Sequence, residues 1–452
     1  MSEFEPISLT LSSSPTQSLA VEILPYGLTI HRVLVKTDGR THDIVIGPEE
    51  PQGHVTQKYT NTVVGRYANR VPVGTHALER KGIKNEFTAQ SNESPHVSLH
   101  GGPVGFDARP WTLLSAEDPP KLFSKAELNR LDKLQESSSS YAVFRLESPA
   151  EDQGFPGSLT TEACIALIGP RNPQKQGYLD APENNLGSIV IIYRAKLVGE
   201  TKTVTPVNLT QHWGFNLEAS LQDGPESLLV KDHALTIRAD HIAELASNSL
   251  ATGNFIPVST IPAHDHTAKL IGSDMPNSGY GAVLPPACNA VLSDGHYIDD
   301  YYLFEDKAKS SIPTRIPLVS FDDKSDFLED VLRAADDENR GSRPGPLATL
   351  SSARSGLKLE FDSNQHGVMF YSNAMANVAK GARKKIHGGS GISGQGDAYG
   401  PGTAAFLEFH NPIAAFLYSA NKDGEDTLLT SDELYHNYVR ADIKVVAPLA
   451  KA

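Results

Sequence analysis

The chain has 452 residues, with 40 Lys and Arg against 54 Asp and Glu, a formal charge of −14; hydrophobic residues make up 39% and charged residues 21%. That balance is too apolar for a disordered chain and too polar for a helical membrane bundle, and a pI near 5.6 offers no basic face for general nucleic-acid binding. Only Cys164 and Cys288 are present, so no disulfide framework is expected, and a reducing, cytoplasmic compartment is.

In chain order, the first twenty residues carry acids near the start, no basic stretch and no continuous apolar run, so no secretory signal is expected, and no run along the chain approaches the roughly eighteen apolar residues of a membrane span. Residues 21–24, 28–35, 188–197, 357–361 and 441–446 are short, β-branched and bounded by turn-forming residues, which predicts strands. Thirty prolines and 36 glycines spread along the chain point the same way, because both interrupt helices. Two segments depart from this pattern. Residues 124–136 (SKAELNRLDKLQE) open on a capping box, Ser124 with Glu127, and set Leu128, Leu131 and Leu134 at helical spacing. Residues 326–335 place Phe327, Leu328, Val331, Leu332 and Ala335 on one helical face. Both lie beside polar low-complexity stretches, 137–140 and 336–346, and read as surface insertions carrying a short helix each. No linker or fixed-period repeat is evident, so the expected organisation is a single mainly β domain over 1–452 with insertions near 117–140, 306–346 and 377–402.

Five clusters embed polar residues in strand-like or Gly-rich sequence: 64–71 (VGRYANRV), 98–102 (SLHGG), 208–217 (NLTQHWGFNL), 295–304 (GHYIDDYYLF) and 406–412 (FLEFHNP). Each alone has an ordinary structural reading: a His beside Gly-Gly is a turn residue, and Glu408 is the outward member of an alternating strand. A sixth segment, 389–394 (GSGISG), fits GxGxxG behind Arg383, Lys384, Lys385 and His387. A nucleotide cradle needs a helix after that motif, and Gly396, Gly400 and Pro401 forbid one. The segment therefore reads as a Gly-rich loop, or as a basic lid.

The five clusters, in this order, resemble the aldose 1-epimerase (galactose mutarotase) family. The segments carrying the resemblance are 65–71 (GRYANRV), 99–107 (LHGGPVGFD) with Trp111, 154–159 (GFPGSL), 208–217, 367–371 (GVMFY) and Leu407-Glu408. The resemblance implies a large antiparallel β-sandwich with a sugar held in a cleft on a concave sheet, and interconversion of the α and β anomers of free aldohexoses. By residue, it implies Glu408 as the base that takes the anomeric proton and His212 as the acid that protonates the ring oxygen. Asn69, Arg70, His100 and Asp299 would bind the sugar, all six residues converging from strands of one sheet. Asp300 remains an alternative to Asp299, and Trp213 is divided between a sugar face and the core. Gln211 and Gly214 depart from the usual Asn and aromatic, which bears on sugar specificity. This chemistry needs no cofactor or metal, and the expected partner is a small aldose, with no nucleic acid and no membrane. Other readings are a non-catalytic sugar-binding protein, a glycoside hydrolase pairing Glu408 with Asp299 or Asp300, and a hexose-6-phosphate epimerase using the basic run 383–385.

Overall fold

The computed structural model describes residues 2–12, 18–37, 39–135, 139–170, 183–273, 299–334, 345–418 and 425–446. Cys288, positions 295–298 of the fourth cluster, and most of the low-complexity stretches 137–140 and 336–346 lie outside the described residues.

Two antiparallel sheets face each other. Among the described residues the larger has ten strands, its centre running Ser140–Ser148, Ser158–Ile168, Glu183–Val198, Glu433–Val446, Leu357–Ser363 and Ala348–Ser351 in spatial order. The smaller has six, in the order Gly214–Phe215, Ala405–His410, Gly367–Tyr371, Asp299–Phe304, Ala239–Leu245 and Ala251–Pro257. A four-stranded sheet formed by Ile7–Ser12, Ser18–Leu24, Thr29–Thr37 and Arg40–Asp43 adds to one side of the core. All five predicted strands are present, most of them longer than their apolar runs because polar residues continue the ladders.

The core lies between the sheets, where Ile191, Phe361 and Ile443 of the larger meet Val368, Leu407 and Phe409 of the smaller. Phe361 stacks on Phe409 at 5.5 Å between centroids. Because side chains alternate along a strand, the strand that sends Leu407 and Phe409 into this core turns Phe406 and Glu408 to its other face. Trp213 is fully buried with Phe215 and Phe361 and donates Nε1–H to the Leu407 carbonyl (3.0 Å), so it is a core residue.

The first predicted helix is present as Lys125–Gln135, with both arms of its capping box formed: Ser124 N–H to Glu127 and Glu127 N–H to Ser124 Oγ, each 3.0 Å. It covers the outer face of the larger sheet, where Leu131 meets a cluster containing Cys164, Ile192 and Tyr438. The second is not a helix. Through residue 334 the 326–335 segment is a run of turns with one helical-type bond, Leu332 N–H to the Leu328 carbonyl. Leu328, Val331 and Leu332 are buried as their spacing suggested, but Arg440 takes the Val331 and Arg333 carbonyls (2.8 and 2.6 Å) that would have extended a helix.

Glu127 also receives Arg194 Nη2 at 2.7 Å, both side chains being fully buried, and the guanidinium lies 5.4–5.9 Å from the rings of Phe123, Phe321 and Phe327. Breaking a buried pair from one side strands the remaining charge. Arg194→Met is therefore expected to lower unfolding free energy by about 3–5 kcal/mol, read as a fall in the urea midpoint without a change in m. Arg194→Met/Glu127→Gln should recover part of that loss.

Candidate active site

The outward face of the six-stranded sheet and the loops above it enclose a cavity of about 390 Å³, within the range of small-ligand sites. Asn69, Arg70, His100, His212, Asp299 and Glu408 all line it. They do not come from strands of one sheet: only Asp299 and Glu408 do, joined in register through Tyr371 and Met369 of the strand between them. Arg70 lies on the short Arg70–Pro72 ladder, and His212 sits between two two-residue strands. Asn69 and His100 are loop residues held with positive φ, +66° and +53°.

The loop carrying His100 depends on glycine. Gly101 has φ +86°, and a Cβ there would fall 2.2 Å from the Gly65 carbonyl oxygen, so the two segments touch backbone to backbone. Asn69 and His100 exchange bonds across this contact: His100 N–H donates to the Asn69 carbonyl (3.1 Å) and Asn69 N–H to His100 Nδ1 (3.2 Å). Burial first, then the charges of His212 and Arg70, hold the His100 pKa well below the ordinary value, so the ring is neutral. With Nδ1 accepting, its proton sits on Nε2.

His212 Nε2 lies 3.1 Å from Glu408 Oε1, both side chains nearly buried. Burial, the largest influence, would lower the His212 pKa, but the charge and hydrogen bond of Glu408, with the Asp299 charge, raise it above the ordinary value. Glu408 Oε2 and His212 Nδ1 have no hydrogen-bond partner among the described residues. The His212 ring rests on Phe406 (4.8 Å) and His100 (5.2 Å). Phe406 also accounts for Gly214, since a Cβ there would meet its ring at 2.5 Å. Gln211 is buried away from the cavity, bonded to Tyr193 Oη and the Asn61 carbonyl.

Arg70 is gripped by carboxylates on two sides: both Glu93 oxygens at 2.9 Å and Asp299 Oδ2 at 3.3 Å. Burial raises the Asp299 pKa, opposed by Arg70 and reinforced by Glu408. Asp299, and not Asp300, lines the cavity, because alternation turns the next residue along the strand to the other face.

His100, His212 and Glu408 each offer one ligand atom within 4.8 Å of one another, a set that could hold a metal ion. The Nε2–H tautomer of His100 opposes this, since that nitrogen must lose its proton to ligate and Nδ1 is already an acceptor.

Tyr59 and Glu93 were not anticipated from sequence. Tyr59 stands edge-on to His100 at 4.7 Å and lines the cavity, in a turn with no motif of its own. Glu93 lies in a loop, and its role depends wholly on the position of Arg70. The basic run 383–385 does not line the cavity. Lys384 is fully buried, and Arg383 donates to the Gly388 carbonyl of its own loop.

Residues 9–169 match the model of the aldose 1-epimerase family. Galactose mutarotase of Bos taurus is 32% identical over 245 residues, 54% of this chain and 56% of its own. The chain thus spans about half the length of the curated relatives it matches. An aldose epimerase homologue from C. elegans superposes with a TM-score of 0.64 at 17% identity, covering 98% of this chain and 100% of its own. Galactose 1-epimerase from Lactobacillus acidophilus gives 0.56 at 16% identity, over 97% and 98%. The resemblance to the aldose 1-epimerase family therefore holds in sequence, and the sandwich is of the galactose mutarotase-like type.

Proposed function

We propose that this protein is an aldose 1-epimerase acting on free aldohexoses by general acid-base ring opening and reclosure. The observation that carries the reading is the buried His212–Glu408 pair, 3.1 Å apart, on the floor of a cavity also lined by Arg70, Asp299, Asn69 and His100. Mutarotation requires one proton to leave the anomeric hydroxyl and one to reach the ring oxygen. Glu408 takes the first with its unpartnered Oε2, and His212, kept protonated by Glu408 and Asp299, gives the second. The C1–O5 bond then opens, the aldehyde turns about C1–C2, and the ring closes on the other face with the proton transfers reversed. Atoms balance without any co-reactant.

Arg70, Asp299, Asn69 and the Nε2–H of His100 supply the mixture of donors and acceptors that polyhydroxy ligands need, and such hydrogen bonds discriminate among sugars where an apolar wall does not. A hexose-6-phosphate preference loses its original support, because the run 383–385 is turned away from the cavity. A cytoplasmic location accords with the two cysteines in 452 residues; among the described residues, no helix is long and apolar enough to cross a membrane.

The direct test is polarimetry of freshly dissolved α-D-glucose and α-D-galactose: rotation should relax faster than in a buffer blank, and relaxation no faster for either sugar refutes the reading. A second measurement addresses the ligands. Arg70→Ala removes a charge-assisted donor present in ground and transition states alike, so KM should rise about 10- to 100-fold while kcat changes little.

A further inference from the structure

Part of the cavity wall is built from chain that belongs to no sheet. Residues 56–60, 375–377, 380 and 381, with Ala398 and Tyr399, line it, and both stretches are turns and irregular backbone. Just beyond the second stretch, residues 384–387 are tied by side-chain bonds to the four-stranded sheet and the segment that follows it.

Lys384 is the centre of these bonds. Its side chain is fully buried, and its ammonium donates to Asp43 Oδ2 (2.7 Å), the His31 carbonyl (2.7 Å) and the Val45 carbonyl (2.9 Å), which uses all three protons. Asp43 is equally buried, and its Oδ1 accepts the Val33 amide (3.2 Å). His387 continues the attachment: Nε2–H donates to the Asp43 carbonyl (2.7 Å), leaving Nδ1 to accept from the Tyr399 hydroxyl (2.6 Å). Tyr399 is itself part of the cavity wall. Gln57, on the facing stretch, bonds both ways to Ala382, Nε2 to the carbonyl at 3.2 Å and Oε1 from the amide at 3.1 Å. A buried ion pair is weak evidence for stability, since an apolar pair of similar volume often does as well, but its directed bonds specify position.

We propose that Lys384 is a positioning residue for the sugar: its ammonium pins the 372–402 segment to Asp43 and so sets the wall, from 375–381 to Tyr399, that holds the sugar over His212 and Glu408. This rests on the sugar-site reading. It also gives the Gly-rich segment and its basic run a purpose that neither a phosphate cradle nor a basic lid supplies.

The test uses the full chain as wild type, as Lys384→Met and as Asp43→Asn/Lys384→Met, the double variant leaving no stranded charge. D-galactose and D-glucose binding is measured by calorimetry, mutarotation by polarimetry, and local order by amide hydrogen exchange. Both variants should bind the preferred sugar at least about tenfold more weakly, because a disordered wall must be ordered on binding, with kcat at saturation within about twofold of wild type. Exchange should accelerate across 377–399 and stay slow in Ala405–His410. Unchanged affinity overturns the proposal, as does unchanged exchange across 377–399. A parallel loss of affinity, kcat and protection throughout the sandwich assigns Lys384 to general stability and overturns it too. Wild-type protein that binds a sugar without mutarotase activity refutes the enzymatic reading alone, whereas wild-type protein that binds neither overturns the role of the wall.

Discussion

Glu408→Gln is expected to lower kcat by about 10²–10⁴-fold with KM near the native value. The substitution preserves size and one carbonyl oxygen, so the contact with His212 at 3.1 Å has a substitute. What it removes is the proton acceptor. Glu408 is 2% exposed, so water has little access from which to act in its place. Polarimetry at saturating sugar measures the effect, and near-native kcat would mean that another carboxylate takes the anomeric proton. Asp299 would be the first candidate, since it lines the same cavity and burial raises its pKa.

His212→Asn should cost a similar factor, about 10²–10⁴ in kcat, and should also change the shape of the pH profile. In the native protein the rate is expected to fall at low pH as the carboxylate gains a proton, and at high pH as the imidazolium loses one. The His212 pKa is raised, so the alkaline limb should lie above the range of an ordinary imidazole. The two limbs belong to the coupled pair and not to either residue alone. Asn cannot titrate, so the residual rate of the variant should lose the alkaline limb while keeping the acid one. A variant with unchanged kcat and an intact alkaline limb would transfer the acid role to another group.

Several features of the fold were legible because their causes are local. Ser124 and Glu127 are three residues apart, and the reciprocal bonds that start the helix at Lys125 need only that spacing. In 406–410 (FLEFH), the two-residue period separates Leu407 and Phe409, which enter the core, from Glu408, which does not. The same period applied to Asp299-Asp300 leaves one carboxylate on the cavity, but which of the two faces it depends on the neighbouring strand, Gly367–Tyr371. The helix expected over 326–335 failed for a reason that periodicity does not contain: Arg440, more than a hundred residues away in the chain, captures its carbonyls.

What the amino-acid sequence determined by itself was the strand-rich class and the outward placement of Glu408, read from spacings of a few residues, while the candidate pair of a carboxylate and an imidazole came through the family resemblance that the order of motifs carries. Tertiary structure alone decided how their surroundings are arranged. Glu93 holds Arg70 only because a loop is brought against the short Arg70–Pro72 strand; Tyr59 reaches His100 from a turn without a motif; Trp213 turns into the core while His212 beside it faces the cavity. Lys384, in a run that reads as a solvated basic stretch, is buried against an aspartate 341 positions earlier. The physical reason is common to these cases. Hydrophobic period and capping act within one or two turns of chain, whereas burial of a charge and the direction of a long side chain are set by whichever partner the packed sheets bring within about 3 Å.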